Sequence, residues 1–171
     1  PLMHLSRLHI RNFRGIGRLD LDLGPTTVII GENNCGKTSV LDAIAISLGP
    51  ACSGEACPFN ALDYHRALRD GVPAPEPITI TVELAEQSRD EWSEAVVRAF
   101  EPVIRRLQDG RAVVRLRIAS TPDGERFERR FVESDAQPIP GVDHDTLARE
   151  LARWVRVFQL DAHRILASGF S

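Results

Sequence analysis

Leu19, Leu21 and Leu23 alternate with Asp20 and Asp22, a period of two that predicts a strand over 18–23 with one face in a core. A second predicted strand, over 5–12, precedes it across a turn at Gly15-Ile16-Gly17. The same alternation returns where Ile78, Ile80, Val82 and Leu84 are interleaved with Thr79, Thr81 and Glu83. Residues 112–119 and 125–132 read as a hairpin closed by Thr121, Pro122, Asp123 and Gly124. Thr26 to Ile30 differs, being a continuous apolar and β-branched run after the Gly24-Pro25 break, which predicts a short strand buried on both faces. A last strand is expected over Val155 to Leu160.

Helical spacing appears three times. Val40, Leu41, Ile44 and Leu48 predict a helix from Lys37 to Leu48, stopped by Gly49-Pro50. Ser88 and Glu91 match a capping box, from which a helix would run through Trp92, Val96, Phe100, Val103 and Leu107 with a kink at Pro102. Leu147, Leu151 and Trp154 mark a final helix, with Asp143-His144-Asp145 as its N-cap rather than a reactive site. Five prolines over residues 50–77 (50, 58, 73, 75 and 77) mark a loop region.

At 171 residues the chain is one large domain or two small lobes, and 43% hydrophobic with 26% charged residues is the balance of a soluble globular protein. No apolar run approaches the ~20 residues that cross a bilayer. Pro1-Leu2-Met3-His4 lacks signal-peptide character, Met3 reads as the natural start, and a cytoplasmic protein with no membrane partner is expected. The net charge of −3 removes any whole-chain electrostatic argument for nucleic acid. Cys35, Cys52 and Cys57 are too few for a zinc site and read as reduced thiols, and the five histidines have no metal-ligand spacing. One count does change the picture. Of 21 basic residues, 20 are arginine, and the single lysine is Lys37.

That lysine lies in Gly31-Glu32-Asn33-Asn34-Cys35-Gly36-Lys37-Thr38-Ser39, which satisfies the phosphate-loop pattern of two glycines five apart followed by Lys and Thr. Glycines permit positive φ and close backbone approach, so successive amides can surround a phosphate. A helix starting at Lys37 turns its positive dipole end toward the same anion. In this arrangement Lys37 would bridge the β- and γ-phosphates, Thr38 would coordinate Mg²⁺, and Ser39 would reach the α-phosphate. The expected ligand is a nucleoside triphosphate, ATP with Mg²⁺, and the motif sits between a strand and an amphipathic helix as the mechanism requires.

The stretch Leu8-His9-Ile10-Arg11-Asn12-Phe13-Arg14-Gly15, followed by Val28 to Ala43 with its Asn33-Asn34 pair, resembles the ABC-type ATPases of the RecF/SMC class. Within that class it is most similar to the overcoming-lysogenization-defect (OLD) family, whose members join this ATPase to a Toprim nuclease domain. Close similarity covers about the first 50 residues. The resemblance implies a mixed α/β P-loop NTPase fold, the N-terminal lobe of an ABC-type ATPase with an antiparallel β subdomain. Residues 3–49 would carry strands, phosphate loop and first helix, 50–77 a loop region, 78–160 the β subdomain with helices, and 161–171 a truncated end. It places Arg14 near the nucleotide, where it would help sense the γ-phosphate; a surface arginine at a strand end is the plainer alternative. It also offers Gln159 as a Q-loop glutamine touching Mg²⁺ and the attacking water, with Asp161 as a Walker B aspartate or a plain strand end as alternatives.

No Leu-Ser-Gly-Gly signature and no apolar run ending in Asp-Glu is present. The chain therefore reads as a lobe of a longer protein that binds nucleotide with negligible turnover, DNA and a homodimeric partner belonging to the full-length protein. A non-nucleolytic RecF/SMC-type switch and a small P-loop kinase are the competing readings; kinases usually begin directly at the motif strand, which this chain does not. Asp63-Tyr64 lies where it can approach the nucleotide, though spacing does not require it. Residues 98–130 hold nine arginines and five acids, so they either face DNA phosphates or form a solvated strand surface.

Overall fold

The computed structural model describes residues 3–32, 36–49, 56–65, 68–69, 72–73, 76–121 and 126–158. In chain order the elements are β1 (His4–Phe13), β2 (Ile16–Asp22), α1 (Lys37–Leu48), β3 (Leu68–Arg69), β4 (Val72–Pro73), β5 (Thr79–Ala85), α2 (Glu94–Phe100), β6 (Arg105–Arg106), β7 (Ala112–Ser120), β8 (Phe127–Phe131) and α3 (His144–Trp154). The main sheet runs β2-β1-β5-β7, with β6 and β8 sharing the outer edge of β7, and every pairing in it is antiparallel. β3 and β4 pair with each other apart from it.

Register explains why one face is dry. Leu21, Leu8, Val82, Leu116 and Phe131 fall in one row across five strands, and Leu19, Ile10, Ile80 and Ile118 in the next. The residues between them in sequence form the opposite face, with Asp22, Arg7, Glu83 and Arg115 in one row and Asp20, His9, Thr81, Arg117 and Arg130 in another. A slip of one residue would exchange the two faces, so burial of the aliphatic rows fixes the pairing. α1 packs against β1, β5 and β7, while α3 covers β8 and meets α2. Val40, Ala43 and Leu48 of α1, Val96 and Phe100 of α2, and Ala148 and Leu151 of α3 join the strand residues in one core.

Four expectations are corrected. Thr26 to Ile30 forms no strand, and Val28 and Ile30 are 76% and 90% exposed. An apolar run becomes a doubly buried strand only with neighbours on both sides, and no described strand lies beside this one. The helix expected from Ser88 begins instead at Glu94, where Ser93 accepts from the Val96 amide. Glu91 spends its carboxylate on the Gln87 and Ser88 amides, and Asp90 sits at φ 55, outside any right-handed helix; the helix then ends at Phe100, ahead of Pro102. Leu41 points outward, half exposed, because its α1 neighbours Val40 and Ala43 take the core side. The described part of the last expected strand, Val155 to Phe158, is not extended in any sheet.

Candidate functional site

Gly36 holds the bend before α1 at φ 83, in the left-handed region, and a Cβ placed there would come within 3.2 Å of the Ile16 side chain. Two separate constraints therefore ask for glycine: the dihedral and the close approach of the β1–β2 turn. α1 opens directly after this bend at Lys37 and has no side-chain cap and no acidic residue in its first turn. α2 and α3 are both capped by side chains, Ser93 and Asp143, so the open start of α1 is specific to this helix. Among the described residues no side chain caps its first amides, an arrangement that suits an external acceptor.

The Lys37 ammonium turns back along the loop and donates to the carbonyls of Gly31 at 2.7 Å and Glu32 at 2.5 Å. Thr38 is exposed and Ser39 half-buried in the first turn of α1. A left-handed glycine, an uncapped helix start and one flexible ammonium at the loop suit a polyphosphate. Gly31, Glu32, Gly36, Lys37, Thr38 and Ser39 lie about this bend, with the Lys37 ammonium reaching back to the first two. Asn33, Asn34 and Cys35 lie outside the described residues, as do Gln159 and Asp161.

Arg14 stands at the turn that touches Gly36. Its Nε donates to Asp63 Oδ1 at 2.8 Å, its Nη1 donates to Asp42 Oδ2 on α1, and its guanidinium lies 4.9 Å from the centre of the Phe13 ring. Burial works against the charged form, but the hydrogen bonds to Asp63 and Asp42 outweigh it and the Arg14 pKa is raised. Arg14 is half-buried at the end of β1 and held from two sides. Asp63, picked out in the sequence only for its nearness, is buried and bonded to Arg14. Asp42 is a residue that sequence reasoning misses. Its signal is faint, the one carboxylate of α1, five residues past Lys37.

The arginines of 98–130 are less available than their number suggests. Arg105 pairs with Glu133, Arg111 with Asp109, Arg115 with Glu83 and Arg129 with Asp145. On the polar sheet face a cavity of about 420 Å³ is lined by Arg7, His9, Arg11, Thr81, Arg115 and Arg117, among others. Arg11 has no carboxylate partner among the described residues, and Arg117 donates to the Ala136 carbonyl at 2.8 Å. Among the described residues no group of His, Cys, Asp and Glu forms a metal site, and no helix is long and apolar enough to cross a membrane.

Comparison with known proteins adds a family and a fold. The family model described as "Protein of unknown function (DUF2813)" matches residues 3–171. The "Uncharacterized protein YbjD" of Escherichia coli K12 is 32% identical over 167 residues, 96% of this chain and 30% of the relative. An "OLD nuclease" of Thermus scotoductus is 51% identical over 45 residues, 26% of this chain and 8% of that protein. A solved structure described as "Structural biochemistry of ATP-driven dimerization and DNA stimulated activation of SMC ATPases" superposes with a TM-score of 0.54 at 17% identity, covering 88% of this chain and 78% of that one. The chain spans under a third of the length of the curated relatives it matches. The fold is that of an ABC-type ATPase head.

Proposed function

The chain belongs to the DUF2813 family and resembles the ABC-type ATPases of the RecF/SMC class, and from that premise we propose that it is the ATP-binding N-terminal lobe of an OLD-like ATP-dependent DNA nuclease acting in DNA repair or phage defence. Residues 3–171 form the partial ATPase domain in this reading. The observation that carries it is the convergence of Gly36 in the left-handed region, the uncapped start of α1 and the Lys37 ammonium on one loop. Lys37 supplies the positive charge between the β- and γ-phosphates, the α1 amides donate to the phosphate oxygens, and Ser39 serves the α-phosphate. Thr38, and Gln159 from the far end of the chain, would hold Mg²⁺, which when bound neutralises phosphate charge. Asn33, Asn34 and Cys35 contribute loop amides. The nearness of the OLD nuclease over its 45 matched residues favours a nuclease parent.

The structural likeness to an SMC ATPase supports a second reading, a non-nucleolytic ATP-driven DNA-binding switch that dimerises. The two part on whether the full-length protein cleaves DNA. For the 171-residue chain the reading predicts measurable binding of ATP with Mg²⁺ and turnover near zero, because the chain carries no signature motif to complete a site. Isothermal titration should register binding in the unsubstituted chain and none in Lys37→Ala, a loss of at least about tenfold. Unchanged ATP affinity in Lys37→Ala would overturn nucleotide binding, and brisk hydrolysis abolished by the same substitution would overturn the binding-lobe assignment.

A further inference from the structure

We propose that the free edge of β2 is a docking surface for a second copy of this chain, the two β2 strands pairing antiparallel about a two-fold axis at Leu19. β2 ends the main sheet, with β1 on one side and no strand on the other among the described residues. Residues 24–32, which lead from β2 toward the phosphate loop, form no ladder with it. The Leu23 amide donates to the Ser6 carbonyl at 2.8 Å, a pair that continues the β1–β2 register. In an antiparallel ladder the amide and carbonyl of one residue point the same way, and those of the next point the opposite way. Leu19 and Leu21 therefore turn their backbone groups to β1, whereas Arg18, Asp20 and Asp22 turn theirs outward. Such an outward row is a template for another strand. The side chains agree with it: Leu19 and Leu21 end the dry rows of the sheet only half-buried, with no strand beyond them among the described residues.

Charge selects the partner and the register. A two-fold axis normal to the sheet keeps both dry faces on one side only if residues of like parity stand opposite each other. Centred on Leu19, the midpoint of the seven-residue strand, this pairing engages all of β2. Arg18 then faces the second copy's Asp20 on both sides of the axis, Gly17 faces Leu21, and Leu19 meets its own counterpart. Centring on Arg18 or Asp20 sets like charges against each other at the axis, and centring on Leu21 sets Asp20 against Asp22. Charges on a free edge ordinarily repel a second strand, but here their order makes the edge self-complementary. Arg18 Nε already reaches Asp20 of its own strand at 2.9 Å, and both stay open to solvent. Hydrogen bonds from His9 and Arg18 hold the Asp20 carboxyl at about 2, so it remains charged near neutral pH. The pairing uses none of the phosphate-loop residues and does not rest on the nucleotide reading.

One strand edge buries little area, so the association is weak. Sedimentation velocity of the 171-residue chain without nucleotide should show a concentration-dependent dimer with a Kd on the order of 10–100 μM. Arg18→Asp or Asp20→Arg alone sets like charges across the axis and should weaken association at least about fivefold. The two together restore opposite signs and should bring it back to within about twofold. Cysteine trapping reads the register directly. Leu19 lies at a non-hydrogen-bonded position of the proposed ladder, where Cα atoms approach to about 4.5 Å, so Leu19→Cys should give a reducible linked dimer on oxidation. Leu21→Cys, whose position faces Gly17, should not, nor should the unsubstituted chain with its own cysteines. Should melting show a charge variant unfolded, the trapping result decides by itself. A chain monomeric up to about 300 μM, or dimeric only with ATP, overturns the proposal. So does a double variant that fails to recover, or Leu19→Cys trapped no better than Leu21→Cys.

Discussion

Gly36 is the residue on which sequence and structure agree most closely. The motif requires a glycine there for the phosphate bend, and the structure adds a second demand, the Ile16 side chain standing 3.2 Å from where a Cβ would be. Gly36→Ala should lower stability by about 1–2 kcal/mol, because a left-handed dihedral is imposed on a residue with a Cβ. It should also weaken ATP by moving the start of α1. Gly15→Ala, with nothing within 4 Å of the added atom, is the matched control and should change neither. Denaturant unfolding and nucleotide titration on the same samples read both quantities. The neighbouring Arg14 shows where single-sequence reading stops. Its motif context is legible, but its partners lie 28 and 49 residues away, and no local pattern encodes which carboxylate a turn will meet.

Among the elements, the long alternating strands and both longer helices are readable because their apolar faces are continuous. The errors come where local signals compete. Ser88 and Glu91 have capping-box spacing, yet Ser93 is the true cap, and Glu91 instead closes the preceding turn. Ser93→Ala should therefore lower stability by about 1 kcal/mol while Ser88→Ala does little, a contrast that thermal melting resolves. α3 carries a different dependence. Its first residue, His144, is buried and accepts from the Phe131 amide of β8 through Nδ1 at 3.0 Å, so the neutral ring ties helix to sheet. Burial first, and Arg130 second, lower its pKa below 6.5. The unfolded chain then binds the proton more readily than the native one, and stability rises with pH across that interval. The contribution is complete above about pH 6.5 and is lost as pH falls below it. His144→Gln, which retains an acceptor without a titrating ring, should flatten the melting temperature between about pH 7 and 5.5.

At the scale of the whole molecule, the sheet divides the chain into two surfaces with different obligations. One is sealed by the three helices, and the other is a polar lattice in which most arginines are already committed. Arg115 is largely buried against Glu83, and Arg7 is held by Asp22 at 2.5 Å. Reversing Arg115 would strand the Glu83 carboxylate, so a loss of DNA binding there would not separate contact from folding. Arg11 and Arg117 are the informative pair. They line the same 420 Å³ cavity, and neither forms a carboxylate pair among the described residues. If this face meets DNA in the full-length protein, Arg11→Glu with Arg117→Glu should weaken binding at least about tenfold. The slope of log affinity against log salt should fall by about two, one for each phosphate no longer neutralised. The melting temperature should fall only slightly, because Arg11 is exposed and Arg117 would give up a single hydrogen bond, to the Ala136 carbonyl. Weakened binding with an unchanged salt slope would point to an indirect effect, and unchanged binding would return this face to a solvated surface. In the sequence the nine arginines of this stretch read as a block of charge. Pairing across strands, which only the register reveals, leaves far fewer of them free to act.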